Sequence, residues 1–261
     1  MKFAVSLLAR IPVRRLPTDR SEMVSEILFG EVVEILKTED KSWCLVQCAW
    51  DGYVGWASTN QLTAIKESEF HKLKEQTVVS AEVLGPAMSD GDSRYIPFGA
   101  TLPDFDEMTF RIGPYRFSFG GRASYPERIE DAREYLSKIA MRLLHTPYLW
   151  GGRSSMGIDC SGFCQILYKH LGIKLPRDAY QQIEMGDPLH FVGEGRCGDL
   201  AFFRNPYGDR ISHVGMILDK YTIIHASGQV RIDKLDHYGI FNVEENRYTH
   251  LLVGLKSVLL D

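Results

Sequence analysis

The first feature that bears on chemistry is a cysteine at the predicted start of a helix. Cys160 follows a loop that carries Gly151, Gly152 and Gly157. The free N–H groups and the dipole of a helix N-terminus stabilise negative charge, so this position lowers the pKa of a thiol. We therefore predict that Cys160 is a thiolate nucleophile at neutral pH and that its backbone N–H forms part of an oxyanion hole.

Two histidines fall in consecutive predicted strands after this cysteine. A plain two-residue turn between those strands would point His213 and His225 to opposite faces of the hairpin. We therefore predict an odd-numbered loop or a bulge around residues 218–220. With that register His213 can act as base on Cys160, while His225 holds the imidazole in the useful tautomer.

The elements that must position these residues form an α+β pattern. Residues 126–145 carry apolar side chains at helical spacing, and a second helix begins near Cys160 and ends before Gly172. Strand-like segments follow from Asp199 onward. They cover residues 200–203, 211–218, 221–226, 230–235 and 250–259. Helices first and an antiparallel sheet afterwards predict one α+β domain.

The first half of the chain has the pattern of small β-modules. Strands are predicted over residues 27–36, 43–49 and 53–58, with Asp51-Gly52 as a tight two-residue turn that needs positive φ at both positions. This segment predicts a small barrel that ends near Leu62. The residues that follow are rich in Gly, Pro and aromatic side chains, which favours short strands joined by tight turns.

Composition excludes several classes of protein. Lys and Arg number 30 against 34 Asp and Glu, a net charge of −4 that argues against nucleic acid as the main partner. Apolar residues at 44% and charged residues at 25% are typical of a folded globular chain. No apolar run reaches the length of about 18 residues that a membrane span needs, and the first residues make a poor secretory signal. We predict a cytoplasmic protein.

The cysteines indicate neither a disulfide framework nor a metal site. There are five, an odd number, and the chain is long enough to fold without disulfides. Cys44 and Cys48 lack the CxxC spacing of structural zinc sites, so a zinc site there is disfavoured. Cys164 is predicted to pack under its helix as a small apolar group. We predict no cofactor and no metal.

Six short motifs follow one another in the second half of the chain. They are Tyr148-Leu149-Trp150-Gly151-Gly152-Arg153-Ser154, Gly157-Ile158-Asp159-Cys160-Ser161-Gly162-Phe163, Leu175-Pro176-Arg177-Asp178, Gly198-Asp199-Leu200-Ala201-Phe202-Phe203, His213-Val214-Gly215-Met216 and Ile224-His225-Ala226. In this order they resemble the NlpC-type cell-wall cysteine peptidases, a papain-like family. The resemblance covers residues 126–261.

Two motifs in the first sixty residues extend this resemblance. Ser25-Glu26-Ile27-Leu28-Phe29-Gly30-Glu31 and Gly52-Tyr53-Val54-Gly55-Trp56 are similar to the bacterial SH3-like module of one branch, the γ-D-glutamyl-diamino-acid dipeptidyl peptidases. The implied fold is α+β, a papain-like catalytic domain of helices packed on an antiparallel sheet, preceded by two small SH3-like β-barrel modules. The implied boundaries are 1–62 and 63–124 for the modules and 125–261 for the catalytic domain.

The resemblance also implies a reaction and a set of roles. It implies hydrolysis of the bond between D-glutamate and meso-diaminopimelate or L-lysine in murein peptides with a free N-terminal L-alanine, in peptidoglycan recycling or turnover. Cys160 would be nucleophile, His213 base and His225 the orienting residue. The substrate-binding residues would be Tyr148 (also an oxyanion donor), Asp159 and Ser161 (at the substrate's ammonium), and Arg177 and Asp178. Where the family often has a small hydroxyl residue, this chain has Ala179.

Other interpretations remain open at this stage. A thioester intermediate can pass to an acceptor other than water, which would make the chain an acyltransferase or amidase. A wall-peptide binding module without catalysis is a third hypothesis. Asp159 could also be a simple helix cap. Trp43, Tyr53 and Trp56 are candidates for a wall of the cleft, and the remaining histidines are predicted to be surface or local hydrogen-bonding groups, namely His145, His170, His190, His237 and His250.

Overall fold

The first seven strands form an antiparallel sheet that curls around its own core and is here called the first barrel. The computed structural model describes residues 2–259. The strands are β1 (Phe3–Ser6), β2 (Arg10–Arg14), β3 (Met23–Leu28), β4 (Val32–Glu39), β5 (Trp43–Cys48), β6 (Val54–Ser58) and β7 (Leu62–Ile65). Their order in the sheet is β3-β2-β6-β5-β4-β1-β7. Ile11, Val33 and Val46 are fully buried inside it, because alternate residues of each strand face inward.

The predicted two-residue turn at Asp51-Gly52 is wrong. The N–H of Cys48 donates to the carbonyl of Tyr53 at 2.9 Å, so four residues form the loop, and of the Asp51-Gly52 pair only Gly52 has positive φ, +73°. The carboxylate of Asp51 accepts from the side-chain amide of Gln165 at 2.9 Å. A longer loop lets Asp51 reach a helix of the catalytic part.

The segment after the barrel corrects the prediction of two SH3-like modules. It contains α1 (Glu67–Leu73), β8 (Val79–Ser80), β9 (Leu84–Ser89), β10 (Asp92–Pro97), β11 (Thr109–Ile112), β12 (Tyr115–Phe119) and β13 (Ala123–Ser124). Four strands pair in the order β10-β9-β12-β11, and β13 pairs with β8. Phe29 of the barrel packs edge-on against Phe110 and Phe117. One apolar core therefore spans the barrel and this sheet.

Residues 126–259, here called the catalytic part, place helices against a long antiparallel sheet. Its elements are α2 (Ala132–Met141), β14 (Arg153–Ser154), β15 (Gly157–Ile158), α3 (Cys160–Lys169), α4 (Ala179–Gln182), β16 (Asp187–Leu189), β17 (Leu200–Arg204), β18 (Ile211–Asp219), β19 (Thr222–Ser227), β20 (Gln229–Leu235), β21 (Gly239–Asn242) and β22 (Arg247–Ser257). The order is β16-β22-β17-β18-β19-β20-β21, and β21 also pairs with β22, which closes six strands into a barrel. Among residues 2–259 every helix is too short or too polar to cross a bilayer.

The predicted helix over 126–145 is shorter in the structure. Pro126–Arg128 forms a separate 3-10 turn, and α2 begins only at Ala132. The carboxylate of Asp131 accepts the N–H of Glu134 at 2.9 Å and caps the helix. The cap, rather than the proline, therefore sets the start.

The bulge predicted between the two histidine strands is confirmed. Met216 pairs with Ile224, but Asp219 pairs with Thr222, so Leu218 is an extra residue on β18. Because each residue changes the side-chain direction, the extra residue brings both histidines to one face of the sheet.

A buried ion cluster joins the first barrel to the catalytic part. Glu31 accepts from the ammonium of Lys169 at 2.6 Å and from the guanidinium of Arg153 at 3.1 Å. The backbone N–H of Arg153 donates to the carboxylate of Glu26 at 2.8 Å. Burial raises the pKa of Glu31, but Arg153 and Lys169 outweigh it and lower the pKa to about 2. Breaking such a cluster leaves an unpaired buried charge.

We expect Glu31→Gln to lower the free energy of unfolding by about 3–5 kcal/mol, because Arg153 and Lys169 would lose the carboxylate that neutralises them. Urea unfolding followed by circular dichroism measures the change. The matched control is Glu39→Gln, which removes an exposed pair with Lys37 and should cost at most about 1 kcal/mol. Equal losses in the two variants would contradict this assignment.

Candidate active site

Cys160 is the first residue of α3. Glycines in and near the preceding loop allow its backbone to pack closely against neighbouring backbone. Gly151 has φ +78°, and a Cβ there would lie 2.5 Å from the carbonyl oxygen of Met23 in the first barrel. A Cβ on Gly162 would lie 2.2 Å from the carbonyl oxygen of Gly152. The loop, the helix and the barrel therefore approach one another as closely as backbone allows.

The environment of the thiol contradicts the predicted thiolate. Cys160 is buried, and its Sγ donates to the carbonyl oxygen of Ser212 at 3.9 Å. Burial, with the nearby carboxylate of Asp159, raises the pKa of Cys160 to about 12. Loss of hydration outweighs the amides of the helix start, so the thiol is protonated at neutral pH.

His213 and His225 form a hydrogen-bonded pair, and Ser212, the residue before His213, accepts from the thiol. Nε2 of His213 lies 2.8 Å from Nδ1 of His225, and the rings meet edge to face. Both are buried, and burial lowers the pKa of each imidazole. Gly215 pairs across from His225, where a Cβ would lie 2.8 Å from the Cβ of His225. The sheet therefore holds two neutral imidazoles within one strand pair.

The structure adds three residues that the sequence analysis missed. Nε2 of His225 lies 3.0 Å from the carboxylate of Asp233, which accepts from Arg231 at 2.7 and 2.9 Å. Nδ1 of His250 makes the predicted local hydrogen bond, with the hydroxyl of Thr249 at 2.9 Å, and its ring also stacks on His213 with centroids 4.0 Å apart. The one sequence signal for Asp233 is the alternation of side chains along β20, which places it on the same face as His225. That signal can be used only once the pairing register of β19 and β20 is known.

Asp159 and Arg177 form an internal ion pair next to the thiol. Asp159 caps α3 by accepting the N–H of Gly162 at 2.8 Å. Its two oxygens also accept from Arg177 at 3.0 and 2.6 Å, and the second accepts the N–H of Gly151. Arg177 further donates to the hydroxyl of Ser161 at 2.8 Å. Three predicted substrate-binding residues thus already bind one another.

A cleft of about 650 Å³ opens at the thiol. Both parts of the chain line it: Arg15, Glu22, Val24, Tyr53 and Val54 from the first barrel, and Tyr148, Trp150, Gly151, Asp159, Cys160, Ser161, Arg177, Asp178, Ala179, Tyr180, Arg210, Ile211 and Ser212 from the catalytic part. Of the three aromatic wall candidates, Tyr53 lines the cleft, whereas Trp43 and Trp56 lie elsewhere on the barrel. A smaller cavity of about 310 Å³ lies beside Tyr148 and His213.

This geometry suits acyl transfer through sulfur. A thiol that an imidazole base can deprotonate, at amides that can receive an oxyanion, can attack a carbonyl carbon and expel an amine. Among residues 2–259, no group of three or more His, Cys, Asp or Glu side chains is placed to hold a metal ion. The class of protein that the fold and the site define is the cysteine peptidases.

Comparison with known proteins identifies the family. Residues 145–245 match the NlpC/P60 family, and residues 13–62 match the bacterial dipeptidyl-peptidase Sh3 domain. The chain therefore belongs to the NlpC/P60 family of papain-like cysteine peptidases. One SH3 module is matched, not the two that were predicted.

The chain also resembles curated dipeptidyl-peptidases in sequence and a solved structure in fold. The chain is 27% identical to dipeptidyl-peptidase 6 of Lysinibacillus sphaericus over 84% of this chain and 87% of that one. It is 28% identical to γ-D-glutamyl-L-lysine dipeptidyl-peptidase of Bacillus subtilis over 77% and 71%. The crystal structure of an NlpC/P60 family protein from Bacillus cereus superposes with a TM-score of 0.81 at 21% identity, covering 99% of this chain and 100% of that one.

We expect alkylation of Cys160 by iodoacetamide in the unliganded protein to accelerate about tenfold per pH unit between pH 6 and 8, because the thiolate fraction rises by that factor below a pKa of about 12. Mass spectrometry of the Cys160 peptide measures the rate, and Cys160→Ala gives the background from the other thiols. A rate that is flat over this range would indicate a preformed thiolate instead.

Proposed function

We propose that this chain hydrolyses the bond between the γ-carboxyl of D-glutamate and L-lysine or meso-diaminopimelate in murein peptides with a free N-terminal L-alanine. The observation that carries the proposal is a cleft lined on one side by the first barrel, with the half-buried carboxylate of Asp178 in its lining. The name of the Bacillus subtilis relative, γ-D-glutamyl-L-lysine dipeptidyl-peptidase, supports the substrate class. We further propose that the protein acts in the cytoplasm on cut peptides, in peptidoglycan recycling or turnover.

In the proposed reaction Cys160 is the nucleophile and His213 the base. As sulfur attacks the γ-carbonyl carbon, His213 takes the thiol proton, and the oxyanion receives hydrogen bonds from the N–H of Cys160 and the hydroxyl of Tyr148. His213 then gives the proton to the leaving amine. Water, with its proton taken by His213, hydrolyses the thioester and restores the thiol.

Contacts at the first barrel support a limit on the length of the substrate's acyl part. Tyr53 lines the cleft, and Nε1 of Trp150 donates to the carboxylate of Glu22 across the junction at 2.7 Å. Arg15 pairs with the same carboxylate at 2.7 Å. This wall ends the cleft, so an acyl part of two residues fits where a longer chain or an intact glycan strand does not.

The substrate's free ammonium is assigned to Asp178. Both oxygens of Asp159 already accept hydrogen bonds, and Arg177 neutralises its charge. Asp178 lines the same cleft half-buried, and burial raises the pKa of its carboxyl. A cation beside it would stabilise the ionised form, so a charged amine is preferred over an acylated one.

We expect L-Ala-γ-D-Glu-L-Lys to be cut and its N-acetylated form to be cut at least about a hundredfold more slowly, because acetylation removes the charge that pairs with Asp178. Mass spectrometry of the products measures both rates. Asp178→Asn should narrow this difference, whereas Asp187→Asn on the exposed strand β16 should leave it unchanged. Equal rates for the two peptides would refute the ammonium assignment, and a transfer product with an added amine would indicate an acyltransferase.

We expect Cys160→Ser to abolish turnover and His213→Ala to lower kcat by about 10²–10⁴-fold, because the base of the reaction is lost. His225→Ala should cost less, since His225 acts only through His213. Steady-state kinetics with the same peptide measures the three variants, and circular dichroism checks their folding. A variant at His225 that is worse than that at His213 would reverse the two roles.

A further inference from the structure

Asp233, which the proposed reaction does not use, ends a polar chain that begins at His213. This polar chain runs from Nε2 of His213 to Nδ1 of His225 at 2.8 Å, and from Nε2 of His225 to Oδ2 of Asp233 at 3.0 Å. We propose that Asp233 is a positioning residue that fixes the tautomers of both histidines, so that Nδ1 of His213 carries the lone pair that receives the Cys160 proton. The inference rests on the proposed reaction for its consequence, but its structural claim can be measured without substrate.

The tautomers of the two histidines can be assigned one after the other, starting from Asp233. Although burial raises the pKa of Asp233, the hydrogen bonds from His225 and Arg231 outweigh it and lower the pKa. An ionised carboxylate only accepts, so Nε2 of His225 must carry a proton. His225 is neutral, which leaves a lone pair on its Nδ1 to accept from Nε2–H of His213. Neutral His213 then has its lone pair on Nδ1, the nitrogen that has no protein hydrogen bond among residues 2–259.

Two further contacts keep this arrangement in place. Arg231 holds both oxygens of Asp233, at 2.7 and 2.9 Å, so the carboxylate cannot turn away from His225. The ring of His250 stacks on His213 at 4.0 Å and the ring of Phe203 lies 6.0 Å away, which restrains His213 against rotation. Asp233 itself is 7% exposed, so solvent does not supply an alternative acceptor to His225.

Removing the carboxylate of Asp233 would exchange the protonated and unprotonated nitrogens of both imidazoles, rather than only weaken the preference for one tautomer. Arg231 pairs directly across the strands from His225, so without Asp233 its positive charge favours a lone pair on Nε2 of His225. His225 would then carry its proton on Nδ1 and donate to Nε2 of His213. That leaves an N–H on Nδ1 of His213, which cannot take a proton from Cys160.

The first test is nitrogen NMR of the full chain, unliganded and at neutral pH, with labelled histidine. We expect both His213 and His225 to be protonated on Nε2 and unprotonated on Nδ1. A proton on Nδ1 of His213 in the wild-type protein would overturn the proposal. This result is independent of which peptide the protein cuts, so it stands apart from the proposed function.

The second test is Asp233→Ala with Asp236→Ala as the matched control. Asp236 lies just beyond the same strand and accepts from the hydroxyl of Tyr248 at 2.6 Å, far from the histidine chain. We expect Asp233→Ala to move the proton of His213 to Nδ1 and to lower both kcat and the alkylation rate of Cys160 by at least about tenfold, with KM little changed. The control should leave all of these unchanged.

An Asp233→Ala protein with the wild-type tautomers and the wild-type alkylation rate would overturn the proposal. Slow alkylation with altered tautomers supports it even if no murein peptide is cut, which separates it from failure of the proposed function. If this variant does not fold, the nitrogen NMR spectrum of the wild-type protein still tests the proposal.

Discussion

The active site depends on the alternation of side chains along a strand. His213 and His225 lie on adjacent strands, and without the extra residue at Leu218 their side chains would point to opposite faces of the sheet. The same alternation places Asp233 on the face of His225, because Arg231 pairs directly with His225 and Asp233 lies two residues farther on. One inserted residue therefore decides whether the polar chain exists.

Burial explains why the site needs so many supporting contacts. Cys160, His213 and His225 are removed from water, so all three favour their neutral forms. A neutral imidazole accepts a proton at one nitrogen only, which makes the tautomer as important as the distance. A fixed acceptor such as Asp233 selects one tautomer, whereas hydrogen bonds to water would allow either.

The first barrel and the catalytic loop are parts of one ionic arrangement. Arg177 pairs with Asp159 at the thiol and also donates to the hydroxyl of Ser25 on β3 at 3.2 Å. Arg153, on the hairpin before Cys160, binds Glu31 of the barrel. Buried ion pairs add less to stability than to geometry, since they are satisfied in one arrangement only. The barrel therefore contacts the loop that carries Cys160 and also lines one side of the cleft.

The sequence determined the local features: Cys160 at a helix start, its cap Asp159, the bulge near Leu218 and a barrel over the first sixty residues. Each follows from spacing, capping or parity, which act between near neighbours. The tertiary structure alone decided the stacking of His250, the pairing of Asp159 with Arg177 and the raised pKa of the thiol. These depend on which distant residues meet and how much water they exclude, and neither quantity is written in the order of residues along a single segment.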